Sequence, residues 1–206
     1  MRLEKLYAIL DPSIRGELPL LTIAERLLEG GARLIQYRNK TASSRQMLSD
    51  VRTLVQLARA RKGRIVVNDR ADVAWLGHAH GVHVGQLDLP VRHVRTILGP
   101  RKMIGISTHS LDQALEAAKT SATYIAVGPI FFTTSKNDSD PVVGLEGLRE
   151  IRQYLKQPIV AIGGITAENA PDVIAAGADS VAVISDLLRA EDISEHTRRF
   201  VKILGK

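Results

Sequence analysis

Eight short runs of β-forming apolar residues recur along the chain, with stretches of helical spacing between them. The runs are KLYAIL (5–10), RLIQY (33–37), RIVVN (64–68), GVHV (81–84), KMIGI (102–106), TYIAV (123–127), PIVAI (158–162) and SVAVI (180–184). In the gaps, apolar residues repeat every three to four positions, as in Leu48, Val51, Leu54 and Val55, or Leu111, Leu115 and Ala118. Gly30, Gly31, Gly63, Gly77, Gly99 and Gly177 fall where those helices should stop. Thr166 and Asn169 are spaced as a capping pair at the start of another helix. Strand–helix alternation demands right-handed crossovers and a parallel sheet covered on both faces. Eight such units can close on themselves, so the expected fold is α/β, a single-domain (β/α)8 TIM barrel spanning residues 1–206. An open doubly wound sheet would carry a glycine fingerprint after its first strand, and ILDPSIRGE contains none.

Composition bounds the function. No cysteine is present, which excludes disulfides, thiolate chemistry and cysteine metal sites. No apolar window approaches a membrane span, and the apolar stretch in MRLEKLYAILDP is too short for a signal peptide, so a cytoplasmic protein is expected. The net charge of +6 invites a nucleic-acid partner, but the basic residues are interleaved with acidic ones and aromatics make up only 4%. A basic lean around a small anionic ligand fits better than a nucleic-acid surface. A homo-oligomer is compatible with the sequence.

Barrel enzymes build their sites from the loops that follow the strands, so strand ends are where chemistry is sought. After the second run, Gln36, Arg38 and Lys40 alternate with Tyr37 and should converge on the mouth, where a guanidinium fork and an ammonium suit a diphosphate. Asn68, Asp69 and Asp88 end the third and fourth runs, with Asp72 one helical turn on. Two carboxylates from neighbouring strands, beside a polyphosphate, have the character of Mg²⁺ ligands, although Asp is also a common helix cap. His78, His80 and His83 are close in sequence, but the first two precede a strand and the third lies within it, which argues against a shared metal. After the fifth run come Ser107, Thr108 and His109, where Ser107 can bond a polar ring and Thr108 or Ser110 can cap the next helix. Gly163 and Gly164 after the seventh run, with Ser185 after the eighth, are placed as a monophosphate site is in many barrels. GPIFFTTSK (128–136) follows the sixth run, between the two inferred anion sites.

With these motifs in order (QYRNK, VNDRADVA, GVHVGQLDLP, IGISTHS, GPIFFTTSK, PIVAIGGIT and AGADSVAVIS), the chain resembles the thiamine-phosphate synthase family essentially end to end. The resemblance implies a transferase that joins a pyrimidine methyl diphosphate to a thiazole ethyl phosphate, releasing pyrophosphate and requiring Mg²⁺. It implies that Gln36, Arg38, Lys40, Asn68 and Lys136 hold the pyrimidine diphosphate, that Ser107 contacts the pyrimidine, and that Asp69 and Asp88 bind Mg²⁺. Thr133, Ser135, Gly164, Ile184 and Ser185 would hold the thiazole phosphate, with Gly163 beside them; Asn39 and Thr134 join the substrate-binding set. Arg38, Lys40, Lys136 and Ser107 are the expected catalytic residues. The family's chemistry is dissociative, pyrophosphate leaving before the thiazole nitrogen attacks. The chain departs from the family pattern in reading F-F-T-T-S-K where F-x-T-x-T-K is common. Two rivals are a thiazole tautomerase, which carries His where this chain has Pro129, and a catalytically silent phosphate-binding homologue. The magnesium aspartates and the lysine after the sixth run favour the synthase over both.

Overall fold

The computed structural model of the protein describes residues 3–133 and 141–205. Among these, eight parallel strands close into one barrel in sequence order, the last pairing with the first. They are β1 (Leu6–Leu10), β2 (Leu34–Tyr37), β3 (Arg64–Asn68), β4 (Gly81–Val84), β5 (Met103–Thr108), β6 (Tyr124–Val127), β7 (Ile159–Ile162) and β8 (Ser180–Val183). The sequence runs and the observed strands coincide to within one residue, except that β5 continues two residues further, through Ser107 and Thr108. Closure is made by Leu6 opposite Val181 and Ala8 opposite Val183.

Every residue of β1, β2, β4, β6 and β8 is buried, because side chains of one parity fill the barrel and those of the other meet the helical ring. The ring comprises α1 (Leu20–Glu29), α2 (Ser44–Ala60), α3 (Ala71–Leu76), α4 (Val91–Leu98), α5 (Leu111–Ala118), α6 (Gly144–Tyr154), α7 (Ala170–Ala175), α8 (Ser185–Leu188) and α9 (Ile193–Leu204). Met47, Val51, Leu54, Val55 and Ala58 form the buried stripe of α2, which starts where Ser43 accepts from the Gln46 amide at 3.2 Å. Ser110, not Thr108, caps α5 by accepting from Gln113; Thr108 instead donates its hydroxyl to the Ala126 carbonyl across the sheet. The Thr166–Asn169 pair forms reciprocal side-chain-to-amide bonds, but in the turn that leads into α7 rather than within its first turn.

The inside of the barrel is not uniformly apolar. Tyr7, Tyr124, Gln36, His83 and Ser107 all lie there, each no more than 7% exposed. Tyr124 fits because β5 carries glycine opposite it: a Cβ at Gly105 would run into the phenol ring. His80, at the other end of the barrel, accepts a bond from the Ile65 amide at 3.0 Å and so pins the start of β3.

Candidate active site

At the C-terminal ends of the strands a cavity of about 750 Å³ is walled by Gln36, Arg38, Lys40, Asn68, Asp69, Asp88 and Ser107. Arg38 extends β2 by one step, its amide bonding the Leu10 carbonyl at 3.0 Å. Its guanidinium is ion-paired to Asp11, the residue that follows β1. Asp11 is only 3% exposed and also accepts from the Ser13 amide at 3.0 Å and the Ser13 hydroxyl at 2.6 Å. A buried, triply bonded carboxylate therefore fixes where the fork of Arg38 can point. Lys40 is less tightly held: its side chain is 62% exposed, with Nζ 3.9 Å from Asp69 Oδ2.

Asp69 sits just past β3 with a left-handed backbone (φ 61°), its amide bonded to the His83 carbonyl at 2.7 Å. This conformation is uncommon for a side chain other than Asn or Asp. It turns Asp69 toward Asp88, whose Oδ2 accepts from the Gly85 amide at 2.7 Å. Burial, followed by the neighbouring Asp88, pushes the Asp69 carboxyl up to about 6, with Lys40 and Arg38 pulling the other way. Two partly buried carboxyls that disfavour each other's charge are a donor set that a divalent cation would relieve. Among the described residues no group of three or more potential metal ligands comes together. Mg²⁺ keeps waters and substrate phosphate oxygens and takes only one or two carboxylates, so a pair of aspartates fits its chemistry. Asp72 stays outside the cavity, paired with Arg70 at 2.6 Å.

Ser107 belongs to β5 itself, so its hydroxyl points into the barrel rather than into a loop. His83 Nε2 lies 2.9 Å from it, and Gln86 donates to its carbonyl at 2.6 Å. At the other side of the floor, Gln36 donates to the Tyr7 hydroxyl at 3.1 Å.

A second cavity, of about 720 Å³, opens beside the first and is walled by Thr133, Gly163, Gly164, Ile184 and Ser185. His109, Ile162, Ala182 and Ile184 line both, so the two cavities share a wall. Here the shape is set by backbone. Gly163 (φ 102°) and Gly164 (φ 63°) occupy left-handed conformations. A Cβ on Gly163 would come within 2.6 Å of Pro129, and one on Gly164 within 2.7 Å of Phe131 Cβ. The chain after β6 is laced to the chain after β7, Ile130 to the Ile162 carbonyl at 2.9 Å and Phe131 to the Gly163 carbonyl at 3.0 Å. The glycine pair lies six residues ahead of α7, whereas Ser185 opens α8 directly.

The site residues expected from the sequence thus divide cleanly. Gln36, Arg38, Lys40, Asn68, Asp69, Asp88 and Ser107 meet in the first cavity, and Thr133, Gly163, Gly164, Ile184 and Ser185 in the second. Asn39 reaches neither wall; its side-chain oxygen closes its own turn by accepting from Thr41 and Ala42. Thr134, Ser135 and Lys136 lie outside the described residues. Phe132 stands at the rim of the second cavity, 80% exposed. Asp11, which aims Arg38, is absent from the sequence expectations, and His109, named there without a role, has its Nδ1 2.6 Å from the Gly128 carbonyl and so donates to it. Arg189 lines the second cavity, Tyr7 and His83 line the first, and Tyr124 bonds both of these from behind; the sequence reading gives none of the four a role in the site. A usable signal existed for three of them: Tyr7, His83 and Tyr124 are polar residues at the inward parity of barrel strands.

A closed (β/α)8 barrel with a cationic, carboxylate-bearing cavity adjoining a glycine-lined one is an enzyme fold adapted to small anionic substrates. Residues 6–187 match the family model described as thiamine monophosphate synthase. The thiamine-phosphate synthase of Koribacter versatilis is 47% identical over 208 residues, covering 99% of this chain and 97% of its own. That of Chloroflexus aurantiacus is 45% identical over 195 residues, covering 95% and 90%. The solved thiamine phosphate pyrophosphorylase from Pyrococcus furiosus superposes with a TM-score of 0.91 at 41% identity, covering 98% of this chain and 96% of that one. The chain belongs to the thiamine monophosphate synthase family.

Proposed function

We infer that the chain carries out the reaction for which its family is named. It joins 4-amino-2-methyl-5-(diphosphomethyl)pyrimidine to the thiazole ethyl phosphate, giving thiamine phosphate and pyrophosphate. The observation that carries the reading is the shared wall of the two cavities, which lets two anionic substrates lie with their reacting ends in contact. In this reading Gln36 and Ser107 hold the pyrimidine, while Arg38, Lys40, Asn68 and Lys136 hold its diphosphate. Thr133, Ser135, Gly163, Gly164, Ile184 and Ser185 hold the thiazole phosphate.

The bond from the pyrimidine methylene carbon to the diphosphate oxygen breaks, its electron pair leaving with pyrophosphate. The lone pair of the thiazole nitrogen then forms the new carbon–nitrogen bond. No proton has to be taken from the nucleophile. Negative charge concentrates on the leaving group, so cations at Arg38 and Lys40 favour the transition state over the ground state. Asp11 keeps the Arg38 fork aimed, limiting the reorganisation needed as charge develops. Asp69 and Asp88 would hold Mg²⁺, which when bound supplies charge neutralisation to the diphosphate. Ile162, Ala182 and Ile184 give the shared wall an apolar surface that limits water around the reacting carbon. Among the described residues no helix is long and apolar enough to cross a membrane.

The test is direct. Purified protein supplied with both substrates and Mg²⁺ is expected to form thiamine phosphate and pyrophosphate in equal amounts, and to form little when the metal is chelated. Binding of the thiazole phosphate with no product would point instead to a silent homologue.

A further inference from the structure

Five buried side chains from five strands form one unbroken hydrogen-bonded line across the barrel floor. Gln36 Nε2 donates to Tyr7 Oη at 3.1 Å, Tyr7 Oη lies 2.9 Å from Tyr124 Oη, Tyr124 Oη 3.0 Å from His83 Nδ1, and His83 Nε2 2.9 Å from Ser107 Oγ. The stacked rings of Tyr124 and His83 and the edge contact of Tyr7 on Tyr124 hold the inner members in place. We propose that Tyr7, Tyr124 and His83 are positioning residues that act as a directional relay. It fixes together the donor or acceptor character of Gln36 and Ser107, and so sets which pyrimidine edge the cavity accepts.

The direction follows from counting protons. A phenol has one to give, and a neutral imidazole has one donor and one acceptor nitrogen. Burial pushes both phenols well above their ordinary range, so each keeps its single proton. Because the Gln36 amide group donates to Tyr7, Tyr7 must give its proton to Tyr124, and Tyr124 must give its own to His83 Nδ1. His83 is then protonated at Nε2 and donates to Ser107. What the relay leaves over is Oε1 and one N–H at the Gln36 end, and at the other end the Ser107 hydroxyl proton and one lone pair; the acceptor and the proton are the pair that can face a ring edge together. A 4-aminopyrimidine has the complementary edge, an amine that donates beside a ring nitrogen that accepts. A 4-oxopyrimidine has the reverse. Flipping the Gln36 amide requires turning every member, so Gln36 cannot flip alone, and a Ser107 hydroxyl that accepts from His83 keeps its own proton for a ring nitrogen. Gly105 is part of the arrangement, since only a residue without a Cβ admits the Tyr124 ring.

The inference rests on the pyrimidine assignment of this cavity, and its test separates the two. In the intact protein, ¹⁵N chemical shifts should show His83 as the Nε2-protonated tautomer. An Nδ1-protonated or doubly protonated His83 overturns the relay whether or not the protein makes thiamine phosphate. In turnover, the wild type should prefer the 4-amino pyrimidine diphosphate to its 4-oxo analogue by about 10³ or more, since a site built to bond a polar group rejects its mismatch strongly. Tyr124→Phe keeps the ring but cuts the line. It should lower that preference at least tenfold and raise KM for the pyrimidine about tenfold, leaving KM for the thiazole phosphate unchanged. A folded Tyr124→Phe protein with unaltered preference overturns the proposal. Tyr7→Phe cuts the line one step away and must give the same result, which covers the case of a Tyr124→Phe chain that does not fold. A wild-type protein inactive on the 4-amino substrate would sink the synthase reading, while the tautomer measurement would still decide the relay.

Discussion

The two mouth cavities are built on opposite principles. The first cavity is made of side chains: Arg38 held by Asp11, Lys40 near Asp69, and Ser107 bonded to His83. The second cavity is made of backbone, through Gly163 and Gly164 in conformations that exclude a Cβ both by torsion and by contact. A side-chain site loses function when an atom is removed, whereas a backbone site loses it when one is added. The first recognises charge and its direction, and the second recognises shape. That contrast matches the chemistry proposed for each: a leaving group whose charge grows during reaction, and a phosphate whose charge stays constant.

The contrast can be broken most forcefully on the side-chain half. Lys136→Ala removes a cation assigned to the leaving diphosphate, and kcat is expected to fall by about 10² or more, the scale on which single preorganised donors act. Near-normal turnover would remove the lysine from the mechanism. On the backbone half, Gly164→Ala adds one methyl at φ 63°, where its Cβ would meet Phe131 Cβ at 2.7 Å. The strain is about 1–3 kcal/mol. KM for the thiazole phosphate should rise roughly tenfold while KM for the pyrimidine stays unchanged. A rise in the pyrimidine KM instead would mean that the two cavities are not separately built.

The same division explains what could be read from the sequence. The barrel was legible because eight strands repeat one pattern, and a parallel strand buried on both faces must be apolar throughout. Arg38, Asp69 and Asp88 were legible because charged groups at strand ends announce themselves by type and position. Asp11 was not: it also ends a strand, but its role depends on Arg38 lying beside it, a contact between β1 and β2 that no local pattern records. Ser107 was identified, yet placed beyond β5, because the run MIGI ends in apolar residues while the strand continues through two hydroxyl residues that stay buried. His83 was set aside because it lies within a strand, which is the location that carries it into the barrel. A histidine there has to be paired from both nitrogens, and its partners, Tyr124 and Ser107, come from distant parts of the chain.

The smallest expected effects concern the carboxylate pair, and they sharpen the contrast by showing that the side-chain cavity is also costly to maintain when empty. Asp69→Asn or Asp88→Asn should weaken the dependence of turnover on Mg²⁺, seen as a shift of the metal titration to higher concentration. An unchanged titration would count against both as ligands. The metal-free protein offers a check that does not depend on activity. Asp69 is raised from 3.8 to about 6 in the folded state. A carboxyl that holds its proton more tightly when folded adds stability below its unfolded value, and that stability is lost as pH rises through the folded value. The loss should therefore fall between about pH 4 and pH 6.5. With the Asp69 side chain 28% exposed, the effect should be about 1 kcal/mol, or 2–4 °C in Tm for a chain of this size. Asp88→Asn removes the neighbouring charge and should flatten this window relative to wild type, other titrating groups being common to both proteins. Because a proton and a cation compete for the same pair, Mg²⁺ should stabilise the wild type more at pH 7.5 than at pH 5. Equal stabilisation at both values would show that the metal does not use Asp69.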